Sequence, residues 1–426
     1  MLQLEKWLTD YVSQKLKSIQ ATEAPEIAAE ILFEEGLQKA RVSPPPDIQE
    51  RLLSQVLVSV IGYGTIQPLL NDQTITEIMI NRYDSIYIER SGQIKKTDIR
   101  LRDEEAVIRL INQIIIPLGR RIDRNNPTVD ARLPDGSRVN AVIPPAAIDG
   151  ANVTIRKFPA DRIQMEDLLS YNSLSEHMVQ FLKACVVSRL NIVISGGTGS
   201  GKTTLLNILS EFIPAEERIV TIEDSAELQL HQDHVLRLES VKPDIHGEGE
   251  VSIRHLVRNA LRMRPDRIVV GEVRGGETLD MLQAMNTGHD GSLTTTHANS
   301  PRDAISRLET LTLMSGFDLP LRVIREQIAS AVDLIVQVAR MRDGSRKVTS
   351  ITEILGMEGD IIVMNEIFKF EESGLDKDNK VEGEFAPTGM RPIFEPRLNM
   401  AGFSLPPEMF GADRLSIQPP RTSHRR

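Results

Sequence analysis

Nine consecutive residues have the types and spacing of a phosphate cradle: Gly196, Gly197, Thr198, Gly199, Ser200, Gly201, Lys202, Thr203 and Thr204. They satisfy the pattern G-x-x-x-x-G-K-[ST]. The glycines let successive backbone N–H groups turn inward around an anion. Lys202 brings a positive charge between the β- and γ-phosphates of a nucleotide. Thr203 offers a hydroxyl to Mg²⁺, and a helix from Thr204 presents its positive N-terminus. The context is right on both sides. Ile192-Val193-Ile194 reads as a strand before the loop, and Leu205 to Leu209 as an amphipathic helix after it.

Three further segments end in groups that suit hydrolysis. In Arg267-Ile-Val-Val-Gly271-Glu272 an acid closes a β-rich run. Glu272 is the first choice for holding Mg²⁺ through water, with help to catalysis. In Thr221-Ile222-Glu223-Asp224-Ser225-Ala226-Glu227 two acids stand at a strand's end. Two readings stay open there: a carboxylate that polarises the attacking water, or a cap supplied by Asp224. Leu293-Thr294-Thr295-Thr296-His297 ends in a histidine, placed to sense a γ-phosphate or to be purely structural. His231-x-x-His234 has metal spacing, but no third ligand follows and no cysteines accompany it, which argues against a structural metal.

These groups need a scaffold, and the pattern supplies one. From about residue 165, strands alternate with helices, the mark of a parallel sheet covered on both faces. The expected strands are Asn191–Ser195, Arg218–Ile222, His234–Leu238, Arg267–Gly271, Gly291–Thr296 and Leu334–Ala339. Beyond 340 hairpin-like segments follow, and Glu371–Glu384 reads as a solvated loop. Residues 47–160 read as an α+β domain. It has a helical stripe from Ile48 to Val60, strands near 75–80, 85–89 and 94–101, and a helix over 103–118. Further strands are expected in 131–145 and 152–158. Residues 1–46 read as a helical segment closed by the Ser43-Pro44-Pro45-Pro46 linker, 161–418 as the nucleotide domain, and 419–426 as a disordered tail.

Bulk composition narrows the class. Of 426 residues 40% are apolar and 26% charged, as in an ordinary soluble protein. Aromatics at 4% and a net charge of −10 argue against a nucleic-acid surface. A single cysteine, Cys185, permits no internal disulfide and fits a reducing cytosol. No apolar run approaches the roughly 20 residues that span a bilayer. The expected place is therefore the cytoplasm, with membrane docking through other proteins.

Taken in order, GGTGSGKTT, TIEDSAEL, RIVVGEVRGGE and TTTHANS resemble the phosphate loop, acidic box, second acidic strand and histidine box of the type II and type IV secretion ATPases. The resemblance runs from about residue 50 to the end. Within that superfamily the chain looks most like the tight-adherence (Flp) pilus assembly ATPases of the TadA/CpaF type. Pro127 to Asn140, Val153 to Phe158, Arg262 to Arg267 and Gly402 to Pro406 carry this likeness. It implies a PAS-like α+β domain ahead of a RecA-like ATPase domain, a homo-hexamer, and ATP with Mg²⁺ bound between the two domains of a protomer. It implies Glu223 as the carboxylate that activates water, Glu272 as the second acid at the metal, and His297 at the histidine-box position. It also implies that arginines of the N-terminal domain reach the γ-phosphate. The matching candidates are Arg124, Arg132, Arg138 and Arg156, with Arg138 and Arg156 leading. Guanidinium suits that task, since it stays charged and forks onto phosphate oxygens. Many type II secretion ATPases carry a four-cysteine zinc module, which one cysteine cannot build.

The reading that follows is a motor acting on inner-membrane pilus platform proteins, extending or retracting a fibre. Two others compete. A conjugation-type translocase would need a basic channel and DNA-stimulated turnover. A nucleotide-gated switch would hydrolyse slowly even with its partner present.

Overall fold

The computed structural model describes residues 2–18, 25–90, 92–158, 163–243 and 248–411. The tail expected at 419–426 lies outside the described residues. The chain divides into two compact units, Met1–Arg162 and Ile163–Arg426.

The first unit begins with three helices, α1 (Leu2–Ser18), α2 (Pro25–Ala40) and α3 (Pro46–Ile61). Leu8 and Val12 of α1, Phe33 of α2, and Leu52 and Val56 of α3 share one core. The stripe from Ile48 thus closes onto the first forty residues. A 3₁₀ turn leads into α4 (Gln67–Asn71). The absence of a span-length apolar run needs correction. In the structure α3, the 3₁₀ turn and α4 together make a helical stretch of 26 residues, Pro46–Asn71, long and apolar enough by length and composition to cross a membrane. Much of its apolar stripe is taken up by α1 and α2.

Next come β1 (Ile75–Arg82), β2 (Ser85–Arg90), β3 (Gln93–Lys96), α5 (Glu104–Ile115), β4 (Thr128–Arg132), β5 (Arg138–Val142) and β6 (Asn152–Arg156). The strands form one antiparallel sheet in the order β3-β2-β1-β6-β5-β4. The strand expected over 94–101 stops at Lys96, and the stretch 131–145 is broken by a turn. There Asp135 accepts the Ser137 N–H and hydroxyl, and Gly136 takes φ +91°. Helix α5 starts where Asp103 accepts the Ala106 N–H at 2.8 Å. Its Val107, Leu110, Ile111 and Ile114 join Ile78, Ile80, Val139 and Ile155 in a second core. One sheet face is covered and the other stays polar.

The second unit contains α6 (Met165–Ser170), α7 (Glu176–Val187), β7 (Ile192–Gly196), α8 (Lys202–Ser210), β8 (Ile219–Glu223), β9 (Val235–Glu239), α9 (Ile253–Ala260), β10 (Arg267–Val270), α10 (Glu277–Asn286) and β11 (Leu293–Thr296). It continues with α11 (Pro301–Leu313), α12 (Leu321–Ala331), β12 (Leu334–Arg340), β13 (Arg346–Glu358), β14 (Ile361–Leu375), β15 (Val381–Pro387) and α13 (Glu395–Met400). Nine strands make one sheet in the order β15-β14-β13-β12-β7-β11-β10-β8-β9. From β12 to β9 every pairing is parallel, and from β12 to β15 antiparallel. The fold is therefore α/β with a mixed sheet. Every residue of β7, β10 and β11 is buried, as a parallel sheet covered on both faces requires. Alternate side chains feed two cores, one shared with α7 and α8 and one with α9 to α12.

The solvated loop expected over Glu371–Glu384 is a hairpin instead. β14 runs through Leu375, β15 starts at Val381, and Asp376 closes the turn by accepting the N–H groups of Asp378 and Lys380. Backbone pairing makes a ladder without an apolar pattern. Phe370 against Phe385, 5.0 Å between rings, supplies the packing.

Candidate active site

The parallel strands deliver the candidate groups to one edge. β11 lies between β7 and β10, and β8 lies beyond β10. In register, Ser195 pairs Thr296 and Val270 pairs Ile222. The phosphate loop, the segment after Thr296, Glu272 and Glu223 thus all stand at the carboxyl ends of neighbouring strands. Ligands of open α/β sheets bind there.

The loop is held tightly. A Cβ on Gly196 would lie 2.4 Å from the Val338 carbonyl oxygen and 2.5 Å from Ser200 Oγ. Gly199 and Gly201 take φ +69° and +96°, where side chains are strained. Gly197 offers a carbonyl that accepts Ser200 Oγ at 2.8 Å and Lys202 Nζ at 3.1 Å. Thr198 and Gly199 are exposed at the tip, and Thr203 and Thr204 are half-buried in the first turn of α8. Burial holds the Lys202 ammonium below its ordinary range. The Glu272 carboxylate opposes this and the Arg274 guanidinium adds to it. A single phosphate entering here would find a lysine, a helix N-terminus and glycine amides together.

Glu223 is only 3% exposed. Its Oε1 accepts the N–H groups of Glu227 and Leu228 at 2.8 and 2.9 Å. Its Oε2 is buried and makes no hydrogen bond among the described residues. Burial raises its pKa above the ordinary carboxyl value, and the two N–H groups pull the other way. Gly271 gives it room: a Cβ there would lie 3.0 Å from Glu223 Cγ. Asp224, the competing candidate for a cap, instead accepts Ser240 Oγ at 2.8 Å and so ties the ends of β8 and β9.

Glu272 is partly buried and accepts Arg274 Nη2 at 2.8 Å. Arg274 also lies 4.0 Å from Asp224. Sequence reasoning missed Arg274, although its place two residues after Glu272 was visible. Glu277 fixes this corner by accepting the N–H groups of Arg274 and Gly275 at 2.6 and 2.8 Å. His297 is exposed, while Thr295 and Thr296 behind it are buried. Gln337 of β12 holds the next residue, donating to the Ala298 carbonyl at 3.2 Å. His231 and His234 have separate partners: His231 meets Glu211 at 3.4 Å and His234 meets Arg218.

Among the described residues no group of three or more His, Cys, Asp or Glu gathers to hold a metal ion. A nucleotide's Mg²⁺ keeps most of its waters and takes one or two protein oxygens. Thr203 and Glu272 are of that kind.

In the first unit three candidate arginines form a row. Arg132 pairs Arg138 across β4 and β5, and Arg138 pairs Arg156 across β5 and β6. Cross-strand partners point to the same side, here the polar face of the sheet. Arg124 is exposed in the turn before β4 and stands outside the row. On its other side Arg156 pairs Glu77 of β1, so the row of three cations ends on a carboxylate.

One structural residue also escaped the sequence reading. Arg267 is fully buried at the start of β10. It donates to Glu217 at 2.6 Å and to the carbonyls of Val186 and Gly291 at 2.9 and 3.1 Å.

The family model described as "Type II/IV secretion system protein" matches residues 61–377. A Mycobacterium tuberculosis protein provisionally named for conjugal transfer is 37% identical over 304 residues, covering 70% of this chain and 86% of its own. The conjugal transfer protein TrbB of Rhizobium radiobacter is 36% identical over 294 residues, covering 68% and 86%. An X-ray structure of the ATPase DotB from Yersinia pseudotuberculosis matches with a TM-score of 0.50 at 20% identity, over 70% of this chain and 79% of that one. This last likeness concerns the fold alone.

Proposed function

Because this chain belongs to the type II/IV secretion system protein family, we propose that it is an ATP-hydrolysing motor that drives assembly of a tight-adherence (Flp) pilus. The second unit is the RecA-like ATPase domain in this reading, and the α+β part of the first unit is the PAS-like domain. Six copies form a ring at the cytoplasmic face of the inner membrane and act on platform proteins there.

The observation that carries the reading is Glu223. One oxygen is pinned by two backbone N–H groups and the other makes no hydrogen bond among the described residues, at the carboxyl end of the strands that bear the phosphate loop. A buried carboxylate held so is suited to take a proton from an attacking water. Lys202 and the loop amides would hold the β- and γ-phosphates, Thr203 and Glu272 would hold Mg²⁺, and His297 follows the end of the neighbouring β11. Mg²⁺ supplies charge neutralisation to the phosphates when bound. Arg138 and Arg156 grip the γ-phosphate, with Arg132 and Arg124 as further cations for it. Loss of the γ-phosphate on hydrolysis takes away what these arginines hold, which turns chemistry into motion.

The test is ATP turnover by Lys202→Ala. Loss of turnover supports the site, and turnover at the parent rate sinks it. A second reading, translocation of DNA or protein, is favoured by the names of the conjugal transfer relatives. The net charge of −10 weighs against DNA. DNA-stimulated turnover that falls steeply with salt would select that reading instead.

A further inference from the structure

The turn between β12 and β13 reaches the phosphate loop. Arg346 Nε donates to the Gly199 carbonyl at 3.0 Å. Its Cδ lies 3.4 Å from where a Cβ on Gly201 would stand. Directly across the strands is a second arginine, Arg340, with Nη1 3.9 Å from where a Cβ on Gly199 would stand. Two exposed guanidinium groups facing each other across a ladder repel. The turn does not need them, because it closes by itself. Met341 N–H donates to the Ser345 carbonyl, and Asp343 accepts the Ser345 N–H and hydroxyl. Asp343 also accepts the Val381 N–H of β15 at 2.8 Å, which anchors the turn from behind. Arg346 therefore projects from an anchored turn onto a loop residue 147 positions earlier in the sequence.

A trans peptide points its carbonyl and the following N–H in opposite directions. Pinning the Gly199 carbonyl from outside therefore sets the Ser200 N–H toward the inside of the loop. That N–H makes only a long 3.4 Å bond to the Gly197 carbonyl, so it is on hand for a stronger acceptor. We propose that Arg346 is a positioning residue for nucleotide binding: a brace on the back of the phosphate loop that aims its amides at the phosphates of a nucleoside di- or triphosphate. The inference rests on the reading of Gly196–Thr204 as a phosphate cradle. The brace acts on the loop before chemistry, so it acts on ADP and ATP alike.

The test is titration of the full chain with a fluorescent Mg-ADP analogue and with a non-hydrolysable Mg-ATP analogue. Arg346→Ala is expected to weaken both by about tenfold, the scale of one hydrogen bond to a charged group. Arg346→Gln keeps an N–H donor without the charge and is expected to recover most of the loss. Arg340→Ala removes the same charge from the same turn but no bond to the loop, and is expected to stay within about twofold. Turnover at saturating ATP should hardly move while KM rises. Parent-like affinity in Arg346→Ala overturns the brace. So does equal loss in Arg340→Ala, or rescue by Arg346→Lys but not Arg346→Gln, either of which makes charge the cause. A melting temperature that falls in step with affinity overturns it too, since the arginine would then merely hold the hairpin. Lys202→Ala run alongside separates the two levels. If it also binds like the parent, the cradle reading fails; if it alone loses binding, only the brace does.

Discussion

The two units hold their charges in opposite ways. In the second, Lys202 and Glu223 are 9% and 3% exposed, and each is fixed by backbone groups of its own unit. In the first, Arg132, Arg138 and Arg156 lie side by side on the polar face of an antiparallel sheet, like against like. One arrangement is satisfied from within except at a single carboxylate oxygen. The other lies on the polar face of a sheet, where Arg156 also pairs Glu77 of β1. The contrast teaches where each unit spends its stability. The second keeps its charges preorganised, so that they need no rearrangement to meet a bound group. The first keeps a row of cations in register on a sheet surface.

That contrast can be broken. Lys202→Ala is expected to cut ATP turnover by at least about a thousandfold, read in a steady-state phosphate-release assay. Glu223→Gln keeps the shape and the acceptor for both N–H groups, and is expected to cost on the order of a thousandfold in kcat with nucleotide affinity retained. Its melting temperature at neutral pH should not fall. The carboxyl is held by burial above its unfolded value, so the folded state binds the extra proton. Its contribution to stability is then largest at low pH and lost as pH rises through the raised value. Glutamine removes that penalty. The same direction places the acid limb of the pH–rate profile above the ordinary glutamate range. A limb at or below that range would count against Glu223 as the base.

Arg267→Ala tests the opposite kind of residue. It leaves two carbonyls without their donor and the Glu217 carboxylate with Arg189 alone, at 2.9 Å, and should lower stability by about 2–4 kcal/mol in calorimetry of the full chain. The double change Arg138→Ala, Arg156→Ala should act mainly on chemistry, with about a hundredfold less turnover. If turnover stays at the parent rate, these arginines do not serve the nucleotide and the contrast collapses. The smallest effect is expected at Asp103→Ala, which removes the cap of α5 at a cost of about 1 kcal/mol without changing nucleotide affinity.

Much of this was legible because it is local. The phosphate loop could be read residue by residue, since its glycines answer to backbone angles and its neighbours to periodicity. The six parallel strands came within two residues of their observed ends, because a sheet buried on both faces leaves continuous apolar runs. What stayed hidden depends on partners far along the chain. Arg267 reads as the polar start of a strand until Glu217 and Gly291 meet it. Arg346 reads as a turn residue until Gly199 is beside it. Glu371–Glu384 reads as solvated because an edge hairpin is held by its backbone ladder rather than by an apolar pattern. The row of arginines is a fact of register, and register across β4, β5 and β6 cannot be counted from spacing alone.

The bonds that Ser200 and Lys202 make to the Gly197 carbonyl bear on timing. A loop already folded around its own lysine has no ordering step to complete when a nucleotide comes. Only the lysine tip has to change partner. Association should therefore rise linearly with nucleotide concentration and show a single phase in rapid mixing. Any slow phase that follows then belongs to movement of larger parts of the molecule.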